Sequence, residues 1–290
     1  MSRKRTPTKK RVTLVDIIIP VHNRFDILKD CIEAIPAALG NVDYHIYVYD
    51  NGSERLDADA FYDPLDKTNI SITRSGTNIG FPRACNTAFR KGRAPLVFFL
   101  NSDVVLRPGS VVKLAETMSD LKIGIAGMKL LFPTVDEIAQ AGLDLAGRPA
   151  QSVQHIGLVS NIRGHVGHVF SGWSADNPKV NAVSTWDEET KRYKDPLAVT
   201  GAALMTRRKL FSQAGMFWDG YGMGTWEDVD FCMTAKEMGA RVMVVPEAVG
   251  VHYTGATAMK YNIGFPMGRN YQLFLLRWRE KLKQTDLDVL

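Results

Sequence analysis

Short apolar runs alternate with amphipathic stretches over the first half of the sequence, and this alternation constrains the fold more than any other feature. The runs VDIIIPV, YHIYVYD, PLVFFL and IGIAGM are largely apolar and have the length of buried strands. Residues 25–39, between two of them, have apolar side chains at helical spacing. Apolar strands joined by helices are typical of a mainly parallel sheet covered on both faces. The sequence therefore predicts an α/β fold.

The composition is that of a globular protein with a proper core: 290 residues, 45% hydrophobic and 23% charged. No apolar run approaches the roughly 20 residues of a membrane helix, and no signal-peptide segment follows the first residues. Cys31, Cys85 and Cys232 lie far apart in apolar surroundings, which predicts reduced thiols. His165 and His168 have no acidic or cysteine neighbour and do not predict a zinc site. We expect a cytoplasmic protein, peripheral to a membrane surface at most.

The charge is unevenly distributed along the chain, although the net charge is +5. Residues 1–11 carry six basic residues and no acid, and the remainder has 30 basic residues against 31 acidic ones. We expect residues 1–12 to be a disordered basic tail, residues 13–255 the main domain and residues 256–290 a helical extension. Residues 130–195 are rich in Gly, His, Asn and Trp, which predicts variable loops or a small antiparallel excursion.

The segment GYGMGTWEDVDFCMTAKEMG, residues 220–239, places Glu227, Asp228 and Asp230 directly behind a glycine-rich loop. Thr225 followed by Asp228 fits a helix capping box, and acids in a first turn suit the helix dipole. Helical spacing from Asp228 reaches a row of apolar positions, so Asp228 is predicted to head the buried face. An inward carboxylate at a helix start indicates either a chemical task or a satisfied structural aspartate.

Polar side chains also follow the predicted strands at their carboxyl ends, where ligands of open parallel sheets bind. The first strand delivers Pro20, His22 and Asn23, the second delivers Asp50 in the turn DNGS, and a later one delivers residues 101–103. No G-x-G-x-x-G follows the first strand, and no G-x-x-x-x-G-K-[ST] occurs in the chain. A dinucleotide dehydrogenase and a P-loop ATPase are therefore disfavoured.

Six motifs, in order, resemble the family-2 glycosyltransferases of GT-A fold, and especially their rhamnosyltransferase-like branch. The motifs are IIIPVHNR, VYDNGS, TNIGFPRACNTAF, VFFLNSDVVL, VTGAALMTRRKLFSQAGMFWDGYGMGTWEDVDFCMTAKEMG and VGVHYTG. They extend from about residue 14 to residue 255. The resemblance implies a GT-A-type, mainly parallel sheet with helices on both faces, plus an irregular segment on the acceptor side. It also implies transfer of a hexosyl or deoxyhexosyl group.

The resemblance implies a nucleoside diphosphate sugar donor, UDP- or dTDP-linked, bound at the strand ends. The residues that match donor-binding positions are Pro20, His22, Asn23, Asp50, Asn78, Asn101 and Asp103. The family holds Mn²⁺ or Mg²⁺ through an Asp-x-Asp motif, which is Asn101-Ser102-Asp103 here, a substitution seen in that branch. Asp103 is then the principal metal ligand, and His252 a second ligand or a diphosphate contact. Turn or structural roles would suit the same residue types.

The family's general base is usually the second acid of the Glu-Asp pair, which is Asp228 here. It would take the proton from the acceptor hydroxyl as that oxygen attacks the anomeric carbon, giving inversion. Glu227 is expected to orient substrate hydroxyls, and Asp230 to do no more than stabilise the helix start. The family often has an Arg four residues beyond the third acid, where this chain has Thr234. The charge partner of Asp230 is therefore left open.

Three acceptors or partners remain possible from the sequence. A saccharide or glycolipid is the commonest acceptor of relatives, and the closing helix with YQLFLLRWREKL could lie on a membrane or pack on the core. A hydroxymethylated DNA base, flipped out to reach Asp228, is a second possibility. The third is a non-catalytic module that binds nucleic acid through its tail, against which the retained Asp103 and Asp228 argue.

Overall fold

The computed structural model of the chain describes residues 15–143, 149–160, 165–181, 196–261 and 264–282. The predicted tail lies outside these residues. Among those described, no helix combines the length and the apolar character needed to cross a membrane. The strands in chain order are Val15–Val21 (β1), Tyr44–Asn51 (β2), Ile70–Ser75 (β3), Leu96–Leu100 (β4), Val104–Leu106 (β5), Ile123–Leu131 (β6), Val153–His155 (β7), Leu158–Ser160 (β8), Val166–His168 (β9), Ala203–Arg207 (β10) and Arg241–His252 (β11).

Helices connect most of the strands. They are Phe25–Leu39 (α1), Arg55–Tyr62 (α2), Phe81–Phe89 (α3), Ser110–Thr117 (α4), Val135–Gln140 (α5), Pro178–Asn181 (α6), Arg208–Gln213 (α7), Glu227–Glu237 (α8), Ala256–Tyr261 (α9) and Met267–Leu282 (α10). A 3₁₀ turn at Asp219–Tyr221 precedes α8. The first helix has the bounds that its apolar spacing predicts, because Leu28, Cys31, Ile32 and Ile35 lie on one buried face.

The central sheet is mainly parallel, as predicted. Its order is β3-β2-β1-β4-β10-β6-β11-β5, with β7 beside β6. Strands β3, β2, β1 and β4 are parallel neighbours, and β6 is parallel to β11. The strand β10 is inserted antiparallel between β4 and β6. The middle segment contributes the antiparallel pair β8–β9, so the predicted antiparallel excursion is present there.

Two apolar clusters cover the two faces of the sheet. Successive side chains of β1 alternate between them: Ile17 and Ile19 pack under α1, whereas Ile18 packs on the side of α3 and α8. Each large side chain buried in this way stabilises the fold by about 1.5–3 kcal/mol. The closing helix α10 packs into the cluster on the side of α3 and α8 through Phe274 and Trp278. Its apolar stripe therefore packs on the core, while Leu276 on its outer side is exposed.

The direction of the strands determines where a site can form. The parallel strands β1, β2 and β4 end at the same edge, and Val21 is in register with Asp50. The antiparallel start of β10 also reaches this edge, because Ala203 pairs with Leu100. The three cysteines are buried as free thiols, as predicted.

Candidate active site

A cleft of about 380 Å³ opens at the carboxyl edge of the sheet. It lies between the ends of β1, β2 and β4 on one side and the segment that follows β11 on the other. Phe81 at the start of α3 and Met223 of the glycine-rich loop also line it. The cleft brings together most of the predicted donor and metal residues, namely Pro20, His22, Asn78, Asn101, Asp103 and His252.

One wall of the cleft is a network of polar side chains at the ends of β1 and β2. Asn51 donates from Nδ2 to Asn78 Oδ1 at 2.8 Å, and its Oδ1 accepts the Ile79 N–H at 2.8 Å. The His22 ring lies 3.1 Å from the Asn51 carbonyl through Nδ1. Gly52 has φ of +82°, and a Cβ there would lie 2.4 Å from the Thr77 backbone. The turn DNGS therefore needs its glycine, and this wall is fixed by hydrogen bonds before any ligand binds.

Two predicted donor residues lie behind this wall and do not line the cleft. Asn23 accepts the Glu54 N–H through Oδ1 at 2.8 Å and donates its own N–H to Ser53. Asp50 is 1% exposed, and its Oδ2 pairs with Arg74 Nε at 3.1 Å. Both side chains therefore stabilise the turn that carries the wall. Their direct contact with a donor stays a prediction.

A second wall of the cleft, the cation wall, is formed by Asn101, Asp103 and His252. It carries the two residues predicted to hold a cation, Asp103 and His252. Asn101 Oδ1 and Asp103 Oδ1 are buried and accept no hydrogen bond. His252 Nε2 lies 3.3 Å from Asp103 Oδ1, and its Nδ1 lies 3.3 Å from Gln154 Oε1. If Nδ1–H donates to Gln154, the Nε2 lone pair is directed towards Asp103. Gln154 was not predicted, because nothing in its local sequence indicates the contact.

This wall fits a hard divalent cation. Buried oxygen atoms without donors are costly, so a positive partner between them would be favourable. The carboxylate and amide oxygens of this wall are of the kind that suits Mn²⁺ or Mg²⁺. Across the described ranges, no three His, Cys, Asp or Glu side chains form a metal-binding group. The residues that would hold such a cation are Asp103 and His252, with the amide of Asn101.

Helix α8 starts differently from its prediction. Its N-cap is Trp226 and no side chain caps it, so the predicted capping box of Thr225 and Asp228 is wrong. Thr225 and Trp226 are both left-handed, with φ of 79° and 75°. The Asp228 carboxylate instead accepts the N–H of Gly201 at 2.7 Å and that of Val229 at 2.8 Å. The acid therefore bridges α8 to the segment before β10.

Glu227, which is buried, and Asp228, which is half-buried, form an acid pair near the cleft. Glu227 is 5% exposed, and its Oε2 has no hydrogen-bond partner. Burial and the neighbouring Asp228 charge raise the pKa of Glu227 well above its usual range. Burial also raises the pKa of Asp228, whereas the hydrogen bonds that it accepts from Gly201 and Val229 lower this pKa. A carboxylate pair that holds a proton more tightly than usual is suited to accept one near neutral pH.

The acid pair lies near the cleft through its neighbourhood with Phe81. A Cβ on Gly224 would lie 3.9 Å from Glu227 Oε2 and 3.2 Å from Phe81 Cβ. A Cβ on Gly201 would lie 3.2 Å from Asp228 Cβ and 3.6 Å from the Phe81 ring. Both acids therefore lie close to Phe81, which lines the cleft, although neither acid is itself among the residues that line it. The two glycines allow this close approach.

Asp230 has a larger role than the helix start that was predicted for it. It is 3% exposed and accepts hydrogen bonds from Trp278 Nε1 at 2.6 Å and Arg277 Nη1 at 2.7 Å. Burial raises the pKa of Asp230, and these two donors oppose the shift. Arg277 supplies from α10 the positive charge that Thr234 does not supply within α8. The sequence does not indicate this, because the partners lie 48 and 47 residues away.

A buried histidine supports the segment that holds Asp228. His155 Nε2 accepts the N–H of Gly157 at 3.2 Å and that of Thr200 at 3.1 Å. Its Nδ1 must therefore carry the proton and donate to His168 Nδ1, which lies 2.9 Å away. Burial lowers the pKa of His155, so the ring is neutral. The consecutive amides of Thr200 and Gly201 are thus held by His155 and Asp228.

Comparisons with known proteins agree with the fold and the sequence motifs. Residues 16–137 match Glycosyl transferase family 2. The O-antigen biosynthesis protein RfbC of Myxococcus xanthus is 24% identical over 245 residues, which are 84% of this chain and 17% of that protein. The chain therefore spans less than a fifth of the length of this curated relative.

Solved structures of glycosyltransferases share the GT-A fold. The structure of GalNAc-T7 with UDP, GalNAc and Mn²⁺ aligns with a TM-score of 0.61 at 13% identity, covering 84% of this chain and 44% of that one. The mannosyltransferase PcManGT of Pyrobaculum calidifontis, in complex with GDP-Man and Mn²⁺, aligns at 0.56 and 14% identity. That alignment covers 86% of this chain and 60% of the other.

Proposed function

We propose that this chain, whose residues 16–137 belong to glycosyl transferase family 2, transfers a sugar from a nucleoside diphosphate sugar to an acceptor hydroxyl with inversion. One observation carries the proposal: the cleft has a cation wall, and an acid pair lies close to Phe81, which also lines the cleft. The unsatisfied oxygens of Asn101 and Asp103 belong to residues that line the cleft, and Glu227 and Asp228 lie near Phe81, which lines it too. A transferase needs these two functions on opposite sides of one anomeric carbon.

The donor half of the proposal rests on the strand ends. The network of His22, Asn51 and Asn78 offers a fixed polar surface to a base and ribose. The diphosphate would lie towards Asp103 and His252, where the orphaned oxygens are. A divalent cation held there supplies positive charge against the departing diphosphate. Support comes from GalNAc-T7 and PcManGT, whose structures contain UDP or GDP-Man together with Mn²⁺.

The acceptor half rests on the acid pair. Asp228 takes the proton of the acceptor hydroxyl while that oxygen forms a bond to the anomeric carbon. The bond from that carbon to the diphosphate oxygen breaks on the opposite face, so the configuration inverts. The raised pKa of Asp228 makes it a stronger base than an exposed aspartate. Glu227 positions the acceptor hydroxyl through its unpaired Oε2.

We propose a saccharide or glycolipid as the acceptor. The resemblance to an O-antigen biosynthesis protein supports this class. A DNA acceptor would draw on the basic tail, but Val15 begins β1 at the end of the strand opposite the cleft. Seven residues of strand separate the two by about 20 Å. DNA and a purely binding function are therefore treated as outcomes of the test.

The test is a donor and acceptor screen with the purified full chain. UDP-, dTDP- and GDP-sugars would be incubated with Mn²⁺, Mg²⁺ or EDTA, and nucleoside diphosphate release measured. Saccharide acceptors and hydroxymethylated duplex DNA would be compared side by side, and the anomeric configuration of the product read by NMR. Release with a saccharide product of inverted configuration supports the proposal. No release from any donor would contradict it and leave a binding module, and retention would exclude the single displacement.

A further inference from the structure

The loop that precedes the acid pair has an unfavourable backbone conformation. Thr225 and Trp226 are left-handed with φ of 79° and 75°, and Gly222 and Gly224 also have positive φ. A non-glycine residue in this region is strained and persists only where its surroundings hold it. The two strained residues come immediately before Glu227. The contacts that hold these two residues therefore also set the direction in which Glu227 and Asp228 project from the loop.

A single side chain of α10 holds the loop backbone. Asn270 is 0% exposed, and its Nδ2 donates to the carbonyls of Tyr221 at 2.8 Å and Gly224 at 2.7 Å. The same nitrogen lies 3.3 Å from the Thr225 carbonyl. An amide nitrogen has two protons, so the two shorter contacts use both of them. A hydroxyl or a carboxylate could not donate to two carbonyls in this way.

The same helix holds the residues on either side of the acids. The Trp226 ring packs against Tyr271 and Phe274, with centroids 4.8 and 4.9 Å apart. About one turn beyond Phe274, Arg277 and Trp278 bond to Asp230. Glu227 and Asp228 thus lie between two points that are both attached to α10. No contact of Asn270 reaches the wall formed by His22, Asn51 and Asn78.

We propose that Asn270 is a positioning residue for the acid pair. It holds the left-handed backbone at Thr225 and Trp226, and so directs Glu227 and Asp228 at the cleft. Its effect on transfer rests on the proposed function, whereas its hold on the loop does not. Loss of a general packing residue would disturb the whole site. Loss of Asn270 should instead disturb the acid pair and leave the wall formed by His22, Asn51 and Asn78 intact.

The first experiment needs no catalytic activity. Amide hydrogen exchange would be compared between the parent and Asn270→Leu, which has a similarly branched, larger side chain but no donor. Gln272→Leu makes the same chemical change on the exposed side of α10, and Leu282→Ala weakens the buried end of that helix. We expect exchange at residues 222–230 to become at least about tenfold faster in Asn270→Leu alone. Unchanged exchange there, or an equal increase in Leu282→Ala, would overturn the proposal.

The second experiment measures catalysis with the same variants. We expect kcat for transfer to fall at least about tenfold in Asn270→Leu, since small displacements of catalytic groups are costly. The affinity for nucleoside diphosphate and the KM for the donor should stay within about threefold, and Gln272→Leu should match the parent. A parallel loss of donor affinity would indicate a structural role and contradict the proposal. If the parent itself releases no diphosphate, the proposed function fails, and hydrogen exchange alone decides the role of Asn270.

Discussion

The two sides of the cleft are supported in different ways. The donor side stands on the ends of β1, β2 and β4, which are neighbours in the sheet and share continuous backbone ladders. The acid side stands on a strained loop and the first turn of α8. Asn270 of α10 holds that loop, and Trp278 of the same helix holds Asp230 in the first turn of α8. The donor side therefore depends on backbone hydrogen bonds, and the acid side on a few long-range side-chain contacts.

This difference predicts how each side responds to mutation. Removing one side chain from the donor wall should remove its own ligand contact and little else, because the strands hold their geometry. Removing a supporting side chain from the acid side should change the position or charge state of other residues. The experiments that follow test this contrast, and each compares a binding measurement with a turnover or stability measurement.

The largest effect is expected from Asp228→Asn. The amide keeps the shape of the side chain but cannot accept the acceptor's proton, so turnover should fall by about a hundredfold or more. Nucleoside diphosphate affinity should be unchanged, since Asp228 does not line the donor wall. Asp57→Asn, an exposed acid on α2, is the matched control. Turnover within a few-fold of the parent would transfer the base role to Glu227.

Asp103→Ala tests the donor side. Loss of this ligand should weaken nucleoside diphosphate binding by about 10- to 100-fold in Mn²⁺, the range found when metal sites lose a supporting group. Affinity would be measured with and without Mn²⁺ in the parent and the variant. We expect the cation to strengthen binding in the parent only. Equal affinity in all four cases would rule out a metal at Asp103, and a stability loss larger than the binding loss would break the contrast between the two sides.

The sequence predicted the donor side better than the acid side for a physical reason. Strand apolarity and turn residues are local signals, and they indicated β1 and the carboxyl edge of the sheet. Six of the predicted site residues lie in the cleft at that edge, and their roles stay predictions. The strand β10, which enters the sheet antiparallel, was not predicted, because its direction depends on the whole chain path. Gly52 and the turn DNGS are likewise local, and the structure shows why that glycine is needed.

On the acid side, the sequence predicted only which residues are the acids and which face of α8 is buried. Phe231, Cys232 and Ala235 are buried as their spacing indicates, whereas Met238 is 45% exposed because it lies beyond the last turn. The capping-box pattern failed because Thr225 is left-handed and its side chain does not reach the helix amides. The Asn270 clamp joins residues 46 to 49 positions apart. Contacts between residues so far apart in the chain cannot be predicted from local sequence patterns.

Trp278→Phe should show how strongly α10 is attached to α8. The change removes the Nε1 donor and leaves one oxygen of the buried Asp230 without its partner, so the free energy of unfolding should fall by about 2 kcal/mol at pH 7. The loss should shrink at acid pH, where Asp230 is protonated in both proteins. Urea unfolding would measure it, with Trp173→Phe at an exposed site as control. An equal loss in the control would show that the hydrogen bond contributes nothing specific.

Glu227→Gln should stabilise the protein, in contrast to the previous variant. The pKa of Glu227 is raised in the folded state, so the parent loses stability as the pH rises from the unfolded pKa through the folded one. Glutamine has no charge to bury and avoids this loss. The variant should be more stable by about 1 kcal/mol at pH 8 and not at pH 4. Glu33→Gln, at an exposed site on α1, should show no such trend, and a pH-independent difference would argue against a buried charge.

The smallest effect is expected from deleting residues 1–11, which tests whether the two sides described here make up the whole site. Val15 lies at the end of β1 away from the cleft, so donor affinity and saccharide transfer should stay within about twofold of the parent at every salt concentration. The deleted residues carry six positive charges, and each phosphate contact they make with duplex DNA would add about 0.9 to the slope of log affinity against log salt. Binding of both forms to duplex DNA would be measured across a salt series, alongside transfer to saccharide and to hydroxymethylated DNA. A flatter slope with unchanged saccharide transfer would mean that the tail binds polyanions independently of the reaction. A flatter slope together with loss of transfer to DNA would mean that the tail is a third part of the site and that the acceptor is a nucleic acid, against the proposal made here.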